Sequence, residues 1–319
     1  VHKLVPLAPL AREIGEENIY FFAYNAFEDP YETAKKLDEY IANVRKEKEC
    51  EKVNLLTFSM GGAVCTAYLD EYGKKGELNA VFYVAAALYG SQMQSDILNR
   101  NFDKKQGYSL LEFFTSKSAG DAFRKVLAFV PWEVRYGVLY RSFDAVIDTA
   151  MLNSVGMWAL QPVEDYQALA DRFLSDEKYA ALRRCTDRFF SAQCRLKDII
   201  SEMQSRGVSF YCAAGYGLRM LPLSAAGDVS SDSILSVYSS SLGATSAKLG
   251  EKLTDTDGII SPDGSVDAST CFLRDTTWLF GGLSHREMSH DMRVGEIIKR
   301  AFTDSDFNVY SDKSFPRFM

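Results

Sequence analysis

A serine that is to attack a carbonyl carbon must sit where its hydroxyl is exposed and must have a base within reach. Residues 53–64, Val-Asn-Leu-Leu-Thr-Phe-Ser59-Met-Gly-Gly-Ala-Val, offer the first condition. An apolar β-type run ends in Ser59, and Gly61 and Gly62 follow before a helical pattern begins. This is the pattern of a nucleophile elbow, a strained strand-to-helix turn with the serine at its tip. The turn demands small residues on both sides. Gly61, two after the serine, meets that demand. The position two before it carries Thr57 rather than glycine, but Thr is compact and suits the strand it ends. The plainer reading is a serine in an ordinary βα loop, and the two glycines with a helix behind them favour the elbow.

Serine is a poor nucleophile at neutral pH, so the base needs to be found, and behind it an acid to orient the base. The chain has three histidines, His2, His285 and His290. His2 precedes every expected sheet element. His285 follows the apolar run 277–281 after a short Gly-Leu-Ser loop. In a parallel α/β sheet, groups at the carboxyl ends of the strands converge on one crevice, so His285 and Ser59 belong together. His290, five residues on, reads as a surface or helix-start residue. The acid should lie between the run at 208–214 and His285. Asp232, in Ser-Ser-Asp-Ser-Ile-Leu-Ser-Val-Tyr-Ser-Ser, comes first and leads into a helix start of small residues. Asp257 and Asp263 each precede a glycine and stay open as alternatives, although Asp in such segments more often makes a turn hydrogen bond. The Met60 N–H, directly after the serine, would hold the developing oxyanion. A second donor normally comes from a loop after an earlier strand, and that strand is expected upstream of residue 1.

These residues need elements to position them. Residues 3–14 read as a short helix and 18–25 (NIYFFAYN) as a strand. Residues 30–44 place Leu37, Ile41 and Val44 on one helical face behind Pro30. A strand at 52–58, a helix at 61–72 and a strand at 80–87 follow. The strand at 80–87 is an unbroken apolar run, as in a strand buried on both faces. Alternation of helix and strand predicts an α/β fold with a parallel sheet flanked by helices. The rhythm stops at residue 92. Residues 92–207 carry helical patterns at 110–114, 122–129, 143–152, 163–174 and 177–205, without a convincing strand. The sheet resumes at 208–214 and ends at 277–281, before a last helix at 292–302. The expected organisation is a core of 1–91 and 208–319 with a helical cap of 92–207.

Composition narrows the function. With 319 residues and 47% hydrophobic content, the chain can bury a large core. A net charge of -7 without a basic block argues against nucleic-acid binding, which needs clustered Lys and Arg. It also argues against electrostatic adsorption to anionic membrane. No apolar run approaches the about 18 residues of a spanning helix, so no transmembrane segment is expected. The chain opens at Val1 rather than Met, so a leader or upstream segment is expected. The six cysteines form no CxxC pair and no metal spacing; Cys65 and Cys212 read as buried thiols. No metal and no cofactor are expected.

The order Ser59, Asp, His285, with a helical insertion before the acid, resembles the α/β-hydrolase superfamily. More narrowly it resembles the lecithin:cholesterol acyltransferase and bacterial triacylglycerol lipase branch. Phe22-Ala-Tyr-Asn25 is similar to that branch's aromatic-x-Tyr-Asp strand end, and residues 33–62 to its helix, strand and elbow. Ala85-Ala-Ala-Leu-Tyr-Gly-Ser91 resembles its Gly-Ser loop. Residues 232–240 resemble the lipase acid loop, with Ser233 in place of the usual Gly, and residues 285–294 its His loop, in which the first His is catalytic. The likeness spans 1–91 and 208–302 and hardly touches the insertion. It implies an α/β-hydrolase sheet whose first strands lie outside this chain.

The insertion would then cover the site as a lid. Its aromatic residues Phe113, Phe114, Phe129, Trp132, Trp158, Phe189 and Phe190 could line an acyl pocket, although aromatics at helical spacing usually pack a core. Trp132 and Trp158 are the better pocket candidates because they lie near loop breaks. The reading is a serine hydrolase that cleaves carboxylic esters, with an acyl ester or lipid as substrate and interfacial lipid contact. An acyltransferase shares the same acyl-enzyme. The alternatives are a non-catalytic protein that binds an apolar ligand, motivated by Thr57 and the upstream strand, and a peptidase or amidase on the same three residues.

Overall fold

The computed structural model describes residues 6–101, 125, 129–221, 227–255 and 257–319. A four-stranded parallel sheet forms the centre, built from β1 (Val53–Phe58), β2 (Leu78–Val84), β3 (Ser209–Tyr216) and a last strand, Thr277–Gly281, in that spatial order. Leu55 pairs with Val81, Val84 with Ala213, and Gly215 with Phe280, so the carboxyl ends of all four strands lie along one rim.

Period-two alternation sends the strands' side chains into two cores. Val81, Tyr83, Phe210, Cys212 and Leu279 enter one, with Tyr31, Leu37, Ile41, Val64, Tyr68, Ile200 and Met203 from covering helices. Ala80, Phe82, Tyr211, Trp278 and Phe280 enter the other, with Leu10, Val294, Ile297 and Ile298. Helices therefore flank both faces, as a parallel sheet requires.

The helices, beginning with α1 (Ala8–Ile14), follow their local signals. In α2 (Pro30–Lys48), Asp29 caps the first turn by accepting from the Tyr31 N–H at 2.9 Å, and Pro30 occupies a position where a missing N–H costs nothing. Its buried Ala34, Leu37 and Ile41 lie on one stripe facing α3 (Gly61–Tyr72). The last helix, Met292–Thr303, is capped by Asp291 and buries Val294, Ile297, Ile298 and Ala301. Gly295 lies directly against the backbone carbonyl of Pro6, which leaves no room for a Cβ there.

Residues 19–25 correct one expectation. They form no strand. Ile19 is extended, yet among the described residues β1 is laddered only to β2. A run of Ile and aromatic residues favours extended backbone, but a strand exists only where a neighbour takes its N–H and C=O groups. Here the segment lies on α2: Tyr40 donates to the Phe21 carbonyl at 3.3 Å, and the Phe22 and Tyr40 rings are 5.5 Å apart. The far edge of the sheet is covered. Leu279 N–H donates to Arg317 O at 2.7 Å, and Met319 N–H to Leu279 O at 2.9 Å, so the C-terminal residues lie along the last strand.

Between β2 and β3 the described regular elements are all helical. They include α4 (Gln92–Leu98), Trp132–Val146, Val155–Trp158, Val163–Phe173, Ala180–Cys194 and Leu196–Ser205. The expected single helix at 177–205 is broken at Arg195. The expected helices at 110–114 and 122–129 lie outside the described residues, apart from helical Lys125 and the turn residue Phe129. This region has its own core of Met93, Ile97, Leu152, Trp158, Tyr166 and Leu169, against which Val229 and Ile234 also pack. No described helix is long and apolar enough to cross a membrane. Cys65 and Cys212 are buried free thiols; burial pushes Cys65 up to about 12 and Cys212 well above its usual value, so neither is a ready nucleophile.

Candidate active site

Ser59 follows β1 with φ of +54°, a left-handed conformation that is uncommon for a residue with a Cβ. The turn is pinned from the β2 side. Ser59 N–H donates to Val84 O at 3.2 Å, and Ser59 O accepts from Gly62 N–H at 3.0 Å and Ala87 N–H at 2.9 Å. Of the two elbow glycines Gly62 is the tighter, since a Cβ there would lie 2.9 Å from the Ala86 Cβ and 3.1 Å from Ala87 N. At Gly61 a Cβ would meet Thr57 Cβ at 3.5 Å, an ordinary contact. Thr57 fits where the elbow pattern has glycine because the residue facing it has no side chain. Its hydroxyl is buried without a partner among the described residues.

Asp232 is fully buried after β3 and a two-residue bridge, Leu218–Arg219 with Ser230–Ser231. Its Oδ1 accepts from the N–H groups of Ile234 at 2.9 Å and Leu235 at 2.8 Å, an Asx-type turn that fixes the carboxylate. That leaves Oδ2 free to face His285. Ser233, directly after the acid candidate, takes φ of +82°.

His285 begins a short helix, His285–Met288, held by a capping box between Ser284 and Glu287. Glu287 accepts from Ser284 N–H at 2.9 Å and from its hydroxyl at 2.6 Å, and these bonds lower the Glu287 pKa. The His285 N–H also donates to Asp232 O at 2.6 Å, tying the two loops together through backbone as well as side chains.

The imidazole lies between the other two residues. His285 Nδ1 is 2.7 Å from Asp232 Oδ2, and Nε2 is 2.8 Å from Ser59 Oγ. A carboxylate facing Nδ1 as acceptor would leave the proton on Nδ1 and a lone pair on Nε2 toward the serine hydroxyl. The Phe58 ring packs on the imidazole with centroids 5.1 Å apart. Met60 stands at the start of α3, where the first N–H groups have no intrahelical acceptor.

The other candidates lie elsewhere. Asp263 accepts from the Ser261 hydroxyl at 2.5 Å and from Ser265; burial works against its ionisation, but these bonds outweigh it and lower its pKa. Asp257 is exposed and donates its N–H to Asp255 at 3.1 Å. His290 is exposed, with Nδ1 2.7 Å from the Ser289 hydroxyl. His2 lies outside the described residues, as do Phe113 and Phe114. Trp132 begins its helix, and its side chain is likewise outside the description. Trp158 is 2% exposed; its indole N–H donates to Leu152 O at 2.9 Å and its ring meets Tyr166 edge-on, so it is held in the core of the helical region. Phe189 is buried and Phe190 stacks on Tyr166, whereas Phe129 is exposed.

Sequence reading missed Gly215. A Cβ there would lie 2.7 Å from both Asp232 Cβ and Leu283 O, so the acid and histidine loops close over a bare backbone. The glycine at a strand's carboxyl end was the available signal. It also missed the Ser284-x-x-Glu287 box, which is visible as a spacing. Among the described residues, no cluster of three or more His, Cys, Asp or Glu could hold a metal ion. No protein-family model matches this chain, and no curated protein sequence matches it.

Proposed function

We infer that the protein is a serine hydrolase of the α/β-hydrolase kind, cleaving carboxylic esters through an acyl-enzyme. The observation that carries this reading is the relay from Ser59 Oγ through both nitrogens of His285 to the buried Asp232, at 2.8 and 2.7 Å, with Ser59 held at positive φ. A serine, an imidazole and a carboxylate in hydrogen-bond succession are the parts of a general-base-activated nucleophile.

In this mechanism His285 Nε2 takes the Ser59 proton as Oγ attacks the ester carbonyl. Asp232 keeps the imidazole in the reactive tautomer and stabilises its charged form. The Met60 N–H donates to the oxyanion. The protonated His285 then gives its proton to the departing alcohol, leaving an acyl group on Ser59. Water, activated by the same base, releases the acid. An acceptor alcohol at that step would make the protein an acyltransferase.

An acyl lipid is the favoured substrate class. Ile234, two residues after Asp232, packs against the apolar core of the helical region, so an apolar wall adjoins the acid loop. Residues 92–207 would serve as the cap.

The deciding experiment is intact mass after treatment with a fluorophosphonate, with peptide mapping and S59A as control. One adduct on Ser59, absent in S59A, together with ester turnover that S59A loses, is the expected result. A folded chain that takes no adduct and turns over no ester would instead be a non-catalytic binding protein.

A further inference from the structure

We propose that the Tyr24 hydroxyl is a second donor to the oxyanion, on the flank of the elbow opposite His285; this rests on the serine-hydrolase reading of Ser59.

The groups that reach Ser59 come from one side. Among the described residues β1 is bonded only to β2, and Val84, Ala86 and Ala87 press on the elbow from that side. Asp232 and His285 follow β3 and the last strand, further along in the same direction. The two elbow glycines report the two flanks. A Cβ on Gly62 would meet Ala86 and Ala87, whereas one on Gly61 would meet Thr57 and, 3.9 Å away, the hydroxyl of Tyr24.

Tyr24 belongs to residues 19–25, which pair with no strand among the described residues. Its ring lies 6.1 Å from that of Phe22, nearly parallel, and packs against the core beneath α2 and α3. The ring is thus anchored while the hydroxyl points at the start of α3. No hydrogen bond to a described residue occupies that hydroxyl. Burial pushes its pKa up to about 12, so at neutral pH it keeps its proton and is a donor.

The stereochemistry of attack calls for a donor there. His285 must face the alcohol it will protonate, so the carbonyl oxygen points away from it. As the bond from Ser59 Oγ to the carbonyl carbon forms, the π pair moves onto that oxygen and the serine proton passes to His285 Nε2. Tyr24 transfers nothing. It donates a hydrogen bond to the oxygen that has gained charge, alongside the Met60 N–H. Such a donor strengthens its bond in the transition state and therefore acts on kcat more than on KM.

The test compares wild type, Y24F and Y24A on p-nitrophenyl butyrate, with fluorophosphonate labelling of the wild type in parallel. Y24F keeps the ring and its packing on Phe22. Expected is a fall in kcat of about 10²-fold in Y24F, with KM within about twofold and the thermal midpoint unchanged. A labelled, active wild type with Y24F at wild-type kcat and only Y24A impaired would overturn the proposal, since packing alone would then explain Tyr24. A wild type that neither labels nor turns over ester would instead remove the hydrolase reading itself. Should Y24F fail to fold, fluorotyrosine at position 24 keeps the side chain's shape and changes the acidity of its hydroxyl. A kcat that moves with that acidity supports the role, and a constant kcat rejects it.

Discussion

Gly215 and Asp232 are packed so closely that the backbone of one accommodates the side chain of the other. A Cβ on Gly215 would sit 2.7 Å from the Cβ of Asp232 and equally near the Leu283 carbonyl just ahead of His285. The end of β3 is therefore the floor on which the acid and the histidine loop both rest. G215A should force them apart. We expect a loss of about 1–3 kcal/mol in stability from overpacking and a fall in ester turnover of about 10²-fold from misplacement of His285. Denaturant melts and steady-state kinetics on the same preparation check both. Wild-type turnover in a folded G215A would mean that the relay tolerates movement of its acid.

On the serine-hydrolase reading, the acid is separable from its neighbours by substitution. D232N keeps the shape but places an amide against His285 Nδ1, favouring the wrong tautomer. Turnover should fall by about 10⁴-fold, as expected when the acid of a triad becomes an amide. D263N and D257N touch only turns and should stay within about twofold of wild type. Loss of turnover in D263N with retention in D232N would reassign the acid.

Acid should loosen the histidine loop before it unfolds the sheet. The Glu287 carboxyl is held below its ordinary value of 4.5 by the Ser284 hydroxyl and N–H. A carboxyl whose folded pKa is depressed lends stability above its unfolded pKa and loses it as pH falls through the folded value. The capping box is thus complete above about pH 5 and fails progressively below 4.5. Hydrogen exchange across residues 284–289 should quicken over that acid range, and E287Q should remove the pH step. An E287Q chain with the same step would show that another group governs the loop.

Ser233 offers a gain rather than a loss. Its φ of +82° is strained for a residue with a Cβ. S233G should raise stability by about 1 kcal/mol in chemical denaturation, with turnover unchanged. A destabilised S233G would show that its side chain does something beyond occupying the turn.

Local pattern specified the separate pieces. The apolar run into Ser59 followed by two glycines specified a strand, a sharp turn and a helix, and Pro30 with its apolar stripe specified α2. These depend on neighbours within a turn or two, where propensity and periodicity act. With only three histidines, the sequence left few candidates for a base. Residues 19–25 show the limit of such reasoning: their run of Ile and aromatic residues is that of a strand, but a strand needs a neighbour that no local pattern supplies. The acid shows it again. Asp232, Asp257 and Asp263 all sit in plausible turns, and only Asp232 meets an imidazole 53 positions further along the chain. The contact of that imidazole with Ser59 spans 226 positions. Strand order, the bare backbone at Gly215 and the packing of two distant loops bring these atoms together. Those are properties of the folded whole, because contact across such separations depends on every element between them.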